Sequence, residues 1–324
     1  MYKSFYNLKR NPFEITPDPS FLFPTRRHNE ALAALYYGVR RRKGFVVLTG
    51  EVGTGKTLLV RCLLQLLNRK DVSYAYVFNS RLNPVEFLQY IAGDFGLNVA
   101  GKNKSELLLE LSGFLISRHR QKQTTVLVVD EAHHLEVEVL EEIRLLTNLE
   151  TAEEKLLQIL LVGQPELDEK LDSVELRQLK QRIALRSRLE PLSPEESEGY
   201  VQRRLQLAAA ASSPAVNLFP PDTLARVYRH SSGIPRLINT LCENALITAF
   251  ARQSPSVTPD VIDEVATDFR LSVSHPPKPG AQEQEGNEVW QAVKTLLQLH
   301  DHLQSVRMQE DDGTIPITPR SQRI

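Results

Sequence analysis

Cysteine is scarce, with only Cys62 and Cys242 in 324 residues. Both sit in apolar stretches far apart in sequence, which excludes a disulfide scaffold or a thiolate metal site and reads as small buried core residues. Charge of one sign is missing too, since 39 Lys and Arg oppose 40 Asp and Glu. Composition therefore does not compel binding to nucleic acid or to an anionic membrane. No run of about 18 apolar residues is present to span a bilayer. The opening MYKSFYNLKRNPFEITPDP is broken by charges and prolines, unlike a secretory leader. The expectation is a soluble, cytoplasmic protein without a membrane span, long enough for two domains with their own cores.

What is present is an alternation of short apolar runs and helical stretches. Strands are predicted at 45–50 (FVVLTG), 74–79 (YAYVFN), 125–130 (TVLVVD), 157–163 (LQILLVG) and, more weakly, 186–192 (RSRLEPL). Helices are predicted over 56–67, 84–95, 105–120, 137–149 and 174–183. Continuous apolar runs mark strands buried on both faces, as in a parallel sheet, so 45–192 is expected to be a doubly wound α/β domain. From residue 193 the strands stop. SPEE offers an N-cap serine, a proline at the first helical position and a glutamate at the third, and TPDVID repeats that start. Helices at about 194–210, 221–231, 235–252 and 259–270 make 193–270 a small all-helical domain. The stretch 271–287 has a linker composition. The tail, 288–324, holds one amphipathic helix over 288–307, with Trp290, Val293, Leu296, Leu297, Leu303 and Val306 at helical spacing. Docking on its own body and binding a partner are both open to it.

The segment GEVGTGKT, Gly50 to Thr57, fits the pattern G-x-x-x-x-G-K-S/T between a strand and a helix. Gly50, Glu51, Val52, Gly53, Thr54, Gly55, Lys56, Thr57 and Leu58 are expected to cradle a nucleotide's phosphates. Successive backbone N–H groups would wrap the phosphate chain, Lys56 would reach its outer phosphates, and Thr57 would hold Mg2+. The run VLVVDEAHHL follows about 75 residues later. Asp130, at a buried strand end, is expected to bind the metal through water, and Glu131 to polarise the attacking water. His133 and His134 lack a third ligand for a metal of their own.

Gln164, in VGQPEL, is expected at the carboxyl edge of the sheet, where it could orient the water or contact the outermost phosphate. In LRQLKQRIALRSRLEPLS, Arg182 is the candidate to reach a neighbouring subunit's nucleotide, with Arg177, Arg186 and Arg188 as rivals. Arg236, in GIPR at a helix start, could reach back to the nucleotide and couple its state to the helical domain.

These motifs in this order resemble those of the AAA+ ATPases. The likeness is nearest to the ExeA-type, general secretion pathway protein A-like, branch, which is similar to the MuB- and TnsC-like transposition ATPases. It covers about residues 4 to 270, and PFEITPDPSFLFPTRRHNEALAALYYGV, GFVVLTGEVGTGKT, GQPEL, QRI and GIPRLIN carry it. The resemblance implies a P-loop fold with a five-stranded parallel sheet in order 5-1-4-3-2 and a helical lid, with ATP and Mg2+ bound between them. It implies Asp130 and Glu131 as the Walker B pair, Gln164 as sensor 1, Arg182 as the arginine finger and Arg236 as sensor 2. Residues 1–44 would flank the nucleotide site, with Phe13 to Asp18 beside the adenine. Leu58 stands where many relatives have a second threonine, and this chain lacks the membrane helix and peptidoglycan-binding region of the membrane-bound secretion members.

The function expected on these grounds is ATP hydrolysis by an oligomeric switch acting on a protein machine, export-related, with copies of itself and another protein as partners. The alternative is a DNA-binding assembly platform of the transposition type, for which RRRK (40–43) is the local support.

Overall fold

A computed structural model describes residues 2–67, 71–78, 81–210 and 218–271. The linker expected at 271–287, apart from Leu271, and the helix expected at 288–307 lie outside the described residues. Five strands, β1 (Phe45–Gly50), β2 (Val72–Val77), β3 (Thr124–Val129), β4 (Leu157–Gly163) and β5 (Leu185–Leu189), form one sheet in the order β2-β3-β4-β1-β5. Every pairing is parallel. This is the order 5-1-4-3-2, and it brings β1 and β4 to the centre, where all of their residues are buried.

The two-residue period of the strands divides the core. Phe45, Val47, Leu127, Val129, Ile159 and Leu161 face helices Pro84–Asp94, Lys104–Arg120, Val137–Leu146 and Pro165–Leu171. Val46, Leu48, Val126, Val128, Leu160 and Val162 face helices Arg26–Arg40 and Lys56–Leu66. Two of these helices are absent from the sequence reading. Arg26–Arg40 is capped by Thr25, whose hydroxyl accepts from the His28 N–H, and it turns Ala31, Leu32, Leu35 and Val39 inward. Pro165–Leu171 starts on Gln164 with proline at its first turn, but its seven residues are too short for a clear helical period. The helix expected at 174–183 shortens to Arg177–Lys180, and β5 ends at Leu189, two residues before Pro191.

Helices Pro194–Ala208, Pro221–Ser231, Pro235–Ala251 and Pro259–Asp268 share a separate core with Tyr2, Tyr6 and Phe13 from the start of the chain. Ser193 and Glu196 form the expected capping box. Thr258 makes no such cap, since Val261 occupies the position where the returning glutamate would stand. A tight approach joins this core to the sheet. Leu192 N–H donates to Gly233 O at 2.8 Å. Gly233 has φ +74°, and a Cβ there would lie 2.0 Å from Leu192 O, so only glycine fits the turn. Cys62 and Cys242 are free and buried, and among the described residues no helix is long and apolar enough to cross a membrane.

Candidate nucleotide site

The loop after β1 is wound in the conformation that glycine permits. Gly53 and Gly55 have φ of +82° and +100°. Gly55 caps helix Lys56–Leu66 without any side-chain acceptor. The first-turn N–H groups are thus left for an external anion, with the positive end of the helix behind them. Thr54 is fully buried, and its hydroxyl donates to Glu51 O at 2.8 Å. Lys56 is buried too, its Nζ donating to Gly50 O at 2.7 Å and Glu51 O at 2.9 Å. Burial lowers its proton affinity, against the opposing charges of Glu131 and Asp130.

Beside this loop lies the end of β3. Thr57 Oγ1 donates to Asp130 Oδ2 at 3.0 Å, and the Glu131 N–H donates to Oδ1 at 2.9 Å. Glu131 has φ +51°, a left-handed conformation that costs a non-glycine residue roughly 1–2 kcal/mol. Its Oε2 is shielded from solvent and has no hydrogen-bond partner among the described residues. It lies 3.5 Å from His133 Nδ1. A left-handed glycine cradle, a buried ammonium, a hydroxyl and a carboxylate of hard oxygen atoms, and one orphaned carboxylate oxygen together fit a triphosphate with magnesium.

The end of β4 closes the same side. The Gln164 amide lies 2.9 Å from His133 Nε2, and the Gln164 N–H donates to His133 Nδ1 at 3.4 Å. The His133 ring also lies tilted against that of His134, with centroids 3.9 Å apart. Burial lowers its proton affinity, and the neighbouring His134 adds to the effect.

From the helical core, helix Pro235–Ala251 comes down on the loop by its first turn. The Arg236 N–H donates to Gly53 O at 3.2 Å. A Cβ on Gly53 would sit 2.6 Å from Arg236 Cβ. The Arg236 residue itself is exposed.

Arg182 stands elsewhere. It precedes β5, and the Ala184 N–H donates to Phe45 O at the first residue of β1. Arg182 is therefore at the amino edge of the sheet, about 17 Å of strand away from the loop of its own chain. Its Nη1 donates to Thr147 Oγ1 at 2.8 Å. Of its rivals, Arg186 pairs with Asp168 at 3.5 Å and Asp172 at 3.9 Å. Arg177 and Arg188 are exposed, Arg188 opposite Thr49 at the carboxyl edge.

Two contributors went unread in the sequence. Tyr76 Oη donates to Asp130 Oδ2 at 2.7 Å. His28 is buried beneath the loop, its Nδ1 2.7 Å from Thr25 Oγ1 and its Nε2 3.2 Å from Thr54 O. The carbonyl can only accept, so Nε2 carries a proton and donates to it, while Nδ1 meets the threonine hydroxyl. Burial lowers the His28 pKa below its ordinary 6.5, with the Thr54 carbonyl and Glu196 opposing. As pH falls through that ordinary value the unfolded chain takes up a proton that the folded one refuses, so stability is lost on the acid side. The fall in Tm between about pH 7.5 and pH 5 is expected to be smaller in His28→Gln than in wild type, measured by thermal melts. An equal fall in both would show that His28 does not carry this dependence.

Phe13 packs fully buried against Phe219, ring centroids 5.8 Å apart. Its neighbours form a strap: Arg204 Nε donates to Pro12 O at 2.9 Å, and Arg61 Nη1, on the helix that follows the loop, donates to Pro17 O at 2.8 Å.

Comparison with known proteins agrees with this geometry. A family model described as an AAA domain matches residues 39–171. General secretion pathway protein A of Aeromonas hydrophila is 46% identical over 258 residues, which are 79% of this chain and 46% of that protein. The chain thus spans less than half the length of this relative. Among solved structures, the Aeropyrum pernix ORC1 protein in complex with DNA is similar at TM-score 0.62 and 18% identity, covering 80% of this chain and 69% of that one. The Aeropyrum pernix ORC2 protein matches at TM-score 0.60 and 19% identity, covering 80% and 72%. Cdc6p from Pyrobaculum aerophilum matches at 0.58 and 17%, covering 82% and 70%. At these identities the likeness is one of fold. Taken with the loop, the strand ends and the sheet order, these matches show that the chain belongs to the AAA+ ATPase family, in the branch of general secretion pathway protein A.

Proposed function

We propose that this chain binds ATP with Mg2+ at the Gly50–Leu58 loop, hydrolyses it as one subunit of a homo-oligomer, and uses the nucleotide state to move its helical region against a protein machine of the secretion type. The observation that carries this is the seat of helix Pro235–Ala251 on the loop, where Arg236 N–H meets Gly53 O and no side chain would fit between them. A loop that shifts on taking up phosphates must shift the helix with it. In this reading residues 45–192 are the ATPase domain, 193–270 the lid and 1–44 the flanking segment, whose strap ties lid and loop helix together through Arg204 and Arg61.

Thr57 and Asp130 would hold the magnesium, which supplies neutralisation of phosphate charge. Lys56 would leave its two carbonyls for the outer phosphates. Glu131 would accept the proton of the water that attacks the terminal phosphorus, while the bond from that phosphorus to the bridging oxygen of ADP breaks. Gln164, held by His133, would orient this water. Arg182 would act on the nucleotide of a neighbour, a role that its place at the opposite edge of the sheet supports. The identity with general secretion pathway protein A supports the secretion link. Such a cycle would run in the cytoplasm, where ATP is supplied.

The DNA-platform reading draws less support. In the run Arg40–Lys43, Arg42 is spent on Glu154 at 2.8 Å and on Gln123 O at 3.2 Å, and Arg40 on the Tyr36 hydroxyl at 3.2 Å. Steady-state ATP hydrolysis is expected to be indifferent to linear duplex DNA at low and high salt. Stimulation by DNA that fades as salt rises would replace the secretion reading with the DNA platform, since phosphate contacts release counterions.

A further inference from the structure

We propose that Tyr76 is a positioning residue for the magnesium site, its phenol holding the Asp130 carboxylate in the orientation that receives the hydrated metal. The proposal rests on reading the loop as a magnesium–ATP site. Asp130 is gripped from three elements at once. Tyr76 Oη, on β2, and Thr57 Oγ1, at the start of the loop helix, both donate to Oδ2, at 2.7 Å and 3.0 Å. The Glu131 N–H, in the turn after β3, donates to Oδ1 at 2.9 Å. The Asp130 main chain is tied to β2 as well, its N–H donating to Val77 O at 2.9 Å.

The phenol is itself well placed to act as a fixed point. In the register of the sheet Tyr76 pairs with Val128, so its ring lies on the face covered by helix Lys56–Leu66, the helix that Thr57 begins. Its backbone N–H is held by Asp94 Oδ2 at 2.7 Å.

The donors are not equivalent. A hydroxyl has one hydrogen and two lone pairs, so Thr57 can donate to Asp130 and still offer its oxygen to a cation. Tyr76 reaches the same carboxylate oxygen from β2, a separate strand outside the phosphate loop, and in this proposal supplies orientation. Partners of metal-binding carboxylates that act in this way change metal affinity by about 10–100-fold when removed. Phenylalanine keeps the ring and its packing and deletes only the donor.

The test is ATP binding to the full chain as Mg2+ is raised, for wild type, Tyr76→Phe and Lys56→Ala. For Tyr76→Phe the Mg2+ concentration that half-maximally tightens ATP binding is expected to rise by about 10-fold, while ATP binding without metal stays that of wild type. A metal midpoint equal to wild type overturns the proposal. So does a loss of the same size with and without Mg2+, which would make the phenol a structural prop. The underlying site reading fails in a different place: wild type would then show no metal-dependent tightening, or Lys56→Ala would bind ATP as well as wild type does.

Discussion

Glu131→Gln is expected to bind ATP as tightly as wild type and to turn it over about 10²–10⁴ times more slowly, the usual contribution of a positioned base. The expectation follows from what the residue does and does not touch. Its backbone is held left-handed at φ +51°. Such conformations persist where the surroundings impose them, and they concentrate at functional sites. Its Oε2 is shielded from solvent without a hydrogen-bond partner among the described residues, so the carboxylate is not spent on holding the turn together. The Asp130 carboxylate takes over that task by accepting the Glu131 N–H, which glutamine supplies equally well. An amide of the same shape therefore keeps the fold and loses only the ability to accept a proton. Equilibrium ATP binding alongside single-turnover hydrolysis separates the two effects. Turnover equal to wild type would mean that another group is the base.

The second large effect is expected at Arg182. Its replacement by alanine should lower turnover by about 10³-fold or more, the range found for arginines that meet the transferred phosphoryl. ATP binding to the isolated chain should be spared. Among the described residues the guanidinium makes one hydrogen bond, to Thr147 Oγ1, whose loss costs only about 1 kcal/mol. A melting temperature near that of wild type beside a collapsed rate would therefore locate the effect in the assembly. Arg186 differs in kind. Its pairing with Asp168 ties β5 to helix Pro165–Leu171, and Asp168 also accepts from Thr49 at 2.7 Å.

Much of this fold is legible because several signals coincide. The strands read as unbroken apolar runs since a parallel sheet covered on both faces has no polar side. The glycines at 53 and 55, the lysine and the threonine read as a loop because few other arrangements need left-handed backbone beside a cation. The cap at Ser193 was legible from four letters. What was not legible depends on register and packing. Nothing local marks Tyr76 as a partner of Asp130, 54 residues away; that meeting exists because β2 lies beside β3. His28 was hidden similarly, its helix being masked by four charged or histidine residues among its first five positions, although Thr25 was a usable cap signal. The place of Arg182 at the amino edge is a property of topology, which only the sheet order supplies.

The claim at the centre is that each ATP site is completed by the next subunit. It is tested most directly by mixing Glu131→Gln with Arg182→Ala, each inactive alone, and measuring steady-state hydrolysis. In mixed assemblies an Arg182→Ala subunit keeps its own Glu131 and receives an intact Arg182 from its neighbour. Turnover is expected to reappear on mixing and to grow with protein concentration. Activity that stays absent in the mixture, or an Arg182→Ala protein as fast as wild type by itself, would contradict a shared site.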